Sequence, residues 1–208
     1  MQIQSKPRRN AESTKVLILD GLEAIIKRDG FTAVGINAVA REARVDKVLI
    51  YRYFDSMEGL LEAFADRVNF LPNIQQLYDE MPDNLTKSEI LLNIVVAFSK
   101  AVRENRLIQE LLRWELSETN PLTDSFFKKR IKSELDAFAE KGILLKENMV
   151  IFVSVLISGL QFLSLRGKQT LSFLGLDYSK PEVTDKIEEV IKVAIEGFVR
   201  ISENEEIE

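Results

Sequence analysis

The sequence predicts an all-α protein of about nine helices, with a short N-terminal domain over residues 1–55 and a larger helical domain over residues 56–208. Three observations lead there. Apolar residues recur at helical spacing along nearly the whole chain, and no strand-like alternation is sustained. Capping residues and glycine stops punctuate those stretches at plausible helix lengths. The chain is 46% hydrophobic and 29% charged with 5 Pro and 9 Gly, a globular composition that can bury a sizeable core without staples.

The first helix is expected over about Ala11–Asp29, because Ile18, Leu19, Leu22, Ile25 and Ile26 share one face. Gly30 ends it, as the residue that takes a left-handed conformation most cheaply. A short helix follows over about Ile36–Ala43, with Gly35 at its start. The third begins at Asp46, a good cap, with Val45 and Ile50 placed as a hydrophobic staple, and ends near Phe54. Ser56 caps the fourth, which runs to about Phe70 and turns Leu60, Leu61 and Phe64 inward. Pro72 and Pro82 interrupt. Thr86-x-x-Glu89 is a capping box that opens a helix to about Arg103.

The next helix covers about Arg106–Glu118 and holds the single Trp, Trp114. Asn120-Pro121 breaks the chain. A helix over about Thr123–Lys141 follows, with Phe126, Phe127, Ile131, Leu135 and Phe138 as its stripe and Gly142 as its stop. Met149–Leu165 is a run of 17 residues without charge, closed by Gly167. Residues 168–178 read as a loop with a short turn. Ser179-x-x-Glu182 is a second capping box, and the last helix runs to about Ile201 before a glutamate-rich end.

Composition removes much chemistry. Without Cys there is no disulfide or thiolate, and without His the commonest general base and zinc ligand are missing. The carboxylate pairs Glu188-Glu189 and Glu205-Glu206 read as a helix surface and a tail. No Gly-rich phosphate loop occurs, so an enzyme is not expected, nor a cofactor or metal. The first nine residues contain no apolar signal-type stretch, which points to a cytoplasmic location. The net charge of −5 divides unevenly: residues 1–54 carry +4 and the remainder −9. Such a split suits an N-terminal part that meets a polyanion.

Short helices joined by the turn Ala43-Arg44-Val45-Asp46 describe a helix-turn-helix. In such a pair the second helix can lie in the major groove of double-stranded DNA while the first braces it. Ile50 and Phe54 would hold that second helix to the core. Lys47, Tyr51, Arg52 and Tyr53 would face the nucleic acid. Set against this is a plain solvated face with two packing tyrosines. Lys6, Arg8 and Arg9 read either as a polar tail or as an arm that neutralises phosphates.

At these residues the sequence resembles the TetR family of bacterial regulators. The resemblance runs over about 47 residues, through Ile18-Leu19-Asp20, Gly30-Phe31, Val39-Ala40-Arg41-Glu42-Ala43-Arg44-Val45-Asp46-Lys47, Ile50-Tyr51-Arg52-Tyr53-Phe54-Asp55-Ser56 and Leu60. It implies a ligand-responsive regulator, a repressor released from a pseudo-palindromic operator by an apolar or amphipathic small molecule. It implies DNA contacts from Arg44, Lys47, Val48, Leu49, Tyr51, Arg52 and Tyr53, with Arg8 and Arg9 from the arm. The sequence departs from the family pattern in four places. Arg44 stands where members commonly have Gly, and Val48 and Leu49 replace small and hydroxyl residues. Met57 replaces a Lys, and Gly35 replaces a Ser/Thr cap. These departures motivate an alternative: a dimeric ligand- or protein-binding module with weak or lost DNA binding.

The family's ligand cavity lies between the middle helices. That implies a wall from Trp114, Phe98, Leu111, Phe126, Phe127, Gln161 and Phe162, with Arg113 and Glu115 as further polar candidates; ordinary core is the competing reading. The uncharged run is at the short end for a membrane span and holds Ser154, Ser158, Gln161 and Ser164. A helix buried by its own domain and a partner subunit explains it better. Paired with the final helix it forms half of a four-helix homodimer bundle, with Phe152, Val155, Leu156, Ile187, Ile191 and Phe198 at the seam. Lys128-Lys129-Arg130-x-Lys132 reads as a solvated helix face.

Overall fold

The computed structural model describes residues 11–68, 74–82, 84–121, 123–128, 132, 147–166, 172–178 and 180–204. The fold is all-α. The helices are α1 (Ala11–Asp29), α2 (Ile36–Ala43), α3 (Lys47–Phe54), α4 (Met57–Arg67), α5 (Ile74–Asp79), α6 (Lys87–Glu104), α7 (Arg106–Ser117), α8 (Glu147–Arg166) and α9 (Pro181–Asn204), with a 3-10 turn at Phe31–Ala33. Residues 123–128 continue helically after the break at Asn120. The rest of the helix expected to Lys141, its stop Gly142, the second capping serine Ser179 and the cations Arg8 and Arg9 lie outside the described residues.

The described chain forms two compact units, one of Met1–Val68 with Glu110–Phe127, the other of Asn69–Gln109 with Lys128–Glu208. The boundary therefore falls inside α7.

In the first unit the apolar face of α1 (Ile18, Leu22, Ile25, Ile26) is buried together with Val39 of α2, Ile50 of α3, and Leu60 and Phe64 of α4. Helix α1 packs closely on α2 because Gly21 has no side chain: a Cβ there would meet the Ala43 backbone nitrogen at 3.0 Å. The cap readings hold locally. The Asp46 carboxylate accepts from the Val48 N–H at 2.9 Å, and the Ser56 hydroxyl from the Gly59 N–H at 3.1 Å. Gly30 sits at φ 82°, where its stop function needs it. On the surface Arg28 grips Glu42 with two parallel bonds of 3.1 and 3.0 Å, tying the end of α1 to α2. Arg28 holds the Glu42 carboxyl below its ordinary range. Arg67 of α4 likewise bonds Asp20 and the Val16 carbonyl of α1.

Gly59 is required for a different reason from Gly21. A Cβ on it would lie 2.1 Å from the Phe54 carbonyl oxygen, and rigid backbone cannot yield cheaply. Gly59→Ala is expected to lower stability by ~3 kcal/mol, as overpacking does when helices must part. Urea unfolding of the variant checks this; an unchanged midpoint would show that α3 and α4 separate freely.

In the second unit the core joins Leu91 and Val95 of α6, Val153 and Leu160 of α8, and Ile191, Ile195 and Val199 of α9. The capping box at the start of α6 forms: the Glu89 N–H donates to the Thr86 hydroxyl at 3.3 Å and the Thr86 N–H to the Glu89 carboxylate at 2.8 Å. Donation from the Thr86 N–H, and from its hydroxyl, holds the Glu89 carboxyl below its ordinary range.

Two features differ from the sequence reading. Helix α5 occupies part of the stretch between the two prolines. It is a six-residue segment, too short for a periodic signal. Within the expected loop, β1 (Ser172–Phe173) and β2 (Leu176–Asp177) form an antiparallel hairpin, with Phe173 opposite Leu176. Its two turn residues, Leu174 and Gly175, both have positive φ, 51° and 79°, the turn whose twist matches paired strands. Two residues per strand leave no alternation to read.

Candidate functional site

Helix α3 is set by its own sequence. Asp46 caps it, Ile50 and Phe54 bury its inner side, and the other residues are left for contact. Lys47, Val48, Tyr51 and Arg52 form a contiguous outward arc, all exposed, with Val48 at 62% and Tyr51 at 50%. Leu49 and Tyr53 are half-buried on its flanks, and Arg44 is exposed in the turn before it. Arg44, Lys47 and Arg52 form no ion pair among the described residues. The arc is thus a cationic and aromatic surface that no carboxylate among the described residues neutralises.

Arg44 adopts φ 54°, ψ 45° as the C-cap of α2, and its N–H closes the helix onto Ala40 and Arg41. The left-handed region suits Gly far better than a residue with Cβ. Arg44→Gly is therefore expected to raise the stability of the folded chain by ~1 kcal/mol, seen as a higher urea midpoint. An unchanged or lower midpoint would mean that the Arg44 side chain stabilises the fold.

The seven residues expected to wall a ligand cavity fall into two groups. Leu111, Trp114, Phe126 and Phe127 lie in the first unit; Phe98, Gln161 and Phe162 lie in the second. Trp114 is buried and stacks flat on Phe31, with centroids 4.2 Å apart and planes within 1°, while Phe126 meets it edge-on at 5.4 Å. The Trp114 indole N–H donates to Glu118 at 3.1 Å. Leu111 is buried and Phe127 exposed. In the second unit Phe98 is core, and Gln161 is half-buried. Phe162 is half-exposed, with Phe173 against it at 5.7 Å and the Arg166 guanidinium 5.6 Å from its ring centroid. Arg113 bonds Glu110 at 2.7 Å. None of the seven lines the cavity of about 450 Å³ that opens in the second unit.

The residues expected at a dimer seam are divided too. Ile191 is buried in its own chain, and Leu156 and Ile187 pack on the same core. Phe152 stacks on Phe198 with centroids 4.3 Å apart. Val155 stands out at 66% exposure, and Ile151, Val190, Val193 and Ile201 are exposed as well. Helix α8 is long and apolar enough to cross a membrane, with 11% of its apolar window buried.

Residues 18–64 match the family model described as bacterial regulatory proteins, tetR family. Over those residues the chain is similar to the tetR family. An uncharacterized HTH-type transcriptional regulator of Mycobacterium tuberculosis is 28% identical to it over 97 residues. The chain spans about half the length of that relative, 48%, and the match covers 47% of the chain. Among solved structures, Salmonella enterica GusR superposes with a TM-score of 0.61 at 14% identity, covering 95% of this chain and 98% of that one. A TetR-family transcriptional regulator from Haemophilus influenzae RD gives 0.55 at 22% identity, with 90% and 98% covered. At these identities the structural likeness establishes the fold.

Two features of this fold escaped the sequence reading. Asn105 caps α7, its carboxamide oxygen accepting from the Leu107 and Ile108 N–H groups at 3.0 and 3.4 Å. Its place one residue before a strongly periodic apolar run was the available signal. Gln109, buried in the same helix, left no signal, because a glutamine at a helix position reads as surface.

Proposed function

We propose that the protein is a homodimeric regulator that binds a pseudo-palindromic site on double-stranded DNA and is released by a small molecule bound in its second unit. The observation that carries the reading is the outward arc of α3: Lys47, Tyr51 and Arg52 with Arg44 beside them, exposed, its cations in no ion pair among the described residues. A rigid helix with such a face can enter a major groove, its cations meeting phosphates and Val48 or Leu49 meeting thymine methyls. The exposed residues of α8 and α9, Ile151, Val155, Val190 and Val193, support a seam with a second copy. Two-fold symmetry then presents two recognition helices to successive grooves. In this reading α8 serves the seam and not a membrane, and the protein works in the cytoplasm as a repressor. A ligand that prefers the non-binding spacing of the helices lowers affinity by as much as its differential affinity, typically ~1–3 kcal/mol.

The second reading keeps the dimer and the ligand but gives up the DNA. Its specific support is the pair Val48 and Leu49: Leu49 stands where the family pattern has a hydroxyl donor, and Val48 beside it is an apolar side chain 62% exposed. The test is selection from a pool of random duplexes at two salt concentrations. Enrichment of a two-fold symmetric sequence is the expected outcome. No enrichment by a folded dimer at either salt, with and without cell-extracted small molecules, would leave the second reading in its place.

A further inference from the structure

The second unit contains a cavity of about 450 Å³ between α6, α8 and α9, with Tyr178 also in its wall. Part of that wall is apolar, with Leu160, Leu163 and Ile191 among its members. Gln109 also belongs to it, and only 1% of that residue is exposed. Its Nε2 donates to the Val102 and Arg103 carbonyls at 2.8 and 2.9 Å, which fixes which end of the amide is nitrogen. The opposite end, Oε1, is buried with no hydrogen-bond partner among the described residues. An unpaired buried acceptor is costly, and native structures keep few of them. Two carboxylates, Asp185 and Glu188, three residues apart on α9, are in the same wall, against the one guanidinium of Arg103. None of these three charges is ion-paired among the described residues.

We infer that the cavity takes an amphipathic amine. Its ammonium donates to Gln109 Oε1 and is neutralised by Glu188 and Asp185, and its hydrocarbon body fills the apolar part of the cavity. An ammonium offers three donors and one positive charge, which suits a wall that holds an orphan acceptor and two carboxylates. A carboxylic acid of the same length offers acceptors alone and would set anion against anion. The inference rests on the reading of the second unit as the effector-binding part, and it goes beyond that reading by naming the head group.

The test uses the full chain and three matched probes, octylamine, octan-1-ol and octanoate, titrated by calorimetry at neutral pH without DNA. Octylamine is expected to bind tightest, and octanoate at least ~10-fold more weakly. Glu188→Gln should weaken octylamine several-fold and leave octan-1-ol unchanged. Gln109→Met should weaken both donors ~10-fold. Glu188 is only half-buried, so its variant is expected to fold even if Gln109→Met, which strips two carbonyls of their donor, does not. Octanoate binding as tightly as octylamine, no binding by any probe, or octylamine indifferent to Glu188→Gln would each overturn the inference. Duplex binding is measured separately. Its absence beside amine binding removes the regulator reading and leaves the cavity assignment standing, and the converse result removes the amine alone.

Discussion

Replacing Trp114 with alanine is expected to destabilise the first unit by ~3–5 kcal/mol, the range for emptying a buried aromatic site. Three contacts set that scale. The indole lies flat on Phe31 at 4.2 Å, receives the edge of Phe126 at 5.4 Å, and donates to Glu118 at 3.1 Å. Offset stacks and edge contacts each add to what area burial alone supplies, by ~0.5–1.5 kcal/mol. Trp114→Phe keeps a ring and loses the hydrogen bond and part of the stack, so it should fall well short of the alanine effect. Guanidinium unfolding followed by far-ultraviolet circular dichroism measures both. The single tryptophan adds a local reporter, because its emission in the native chain follows the Phe31 stack. A loss under ~1 kcal/mol on Trp114→Ala would show that the site collapses around the gap. The stack also changes how an effector experiment is read. A Trp114 variant that no longer responds to a ligand has lost packing around Phe31, and its stability must be matched before a pocket role is assigned.

The sequence was most informative where one residue's local chemistry decides the structure. Asp46, Ser56 and the pair Thr86–Glu89 cap helices by bonds to backbone within three residues, so their spacing suffices. Gly30 and Arg44 mark left-handed positions for the same reason. The inward and outward sides of α3 were readable because Ile50 and Phe54 are its i, i+4 pair. Tertiary partners were not readable. A helix apolar on most sides, as α8 is, does not state which residues meet its own core and which meet another surface: Val153 and Val155, both valines, are buried and exposed respectively. The aromatic residues suggested one cavity, yet Trp114 and Phe98 belong to different units. Gln109 was invisible since its importance comes from two carbonyls at the end of the preceding helix and a cavity beside it.

If the outward arc of α3 meets DNA, the expected result is a steep loss of duplex affinity with salt. Arg44, Lys47 and Arg52 supply three exposed cations per protomer. If each meets one phosphate in a dimer, log K should fall with log salt at a slope of about −5, since each released counterion contributes about 0.9. Raising salt from 50 to 200 mM then lowers affinity by about 10³-fold. Lys47→Ala, which removes two of those contacts from the dimer, should flatten the slope by about 1.8. Tyr51→Phe removes a hydroxyl and no charge, so it should weaken binding at every salt without changing the slope. Fluorescence anisotropy with the selected duplex over a salt series resolves the two. A Lys47→Ala slope equal to wild type would take Lys47 off the phosphates. Arg44 gives the sharpest form of this argument, because its two expected effects have opposite signs. Glycine relieves the left-handed strain at φ 54° and raises stability, while it removes a cation from the turn and flattens the salt slope. A residue that makes the free protein less stable and the complex tighter is retained for the complex. Were Arg44→Gly to stabilise the fold and leave the slope untouched, that strain would have no counterpart in DNA binding, and the module without DNA would gain its strongest support.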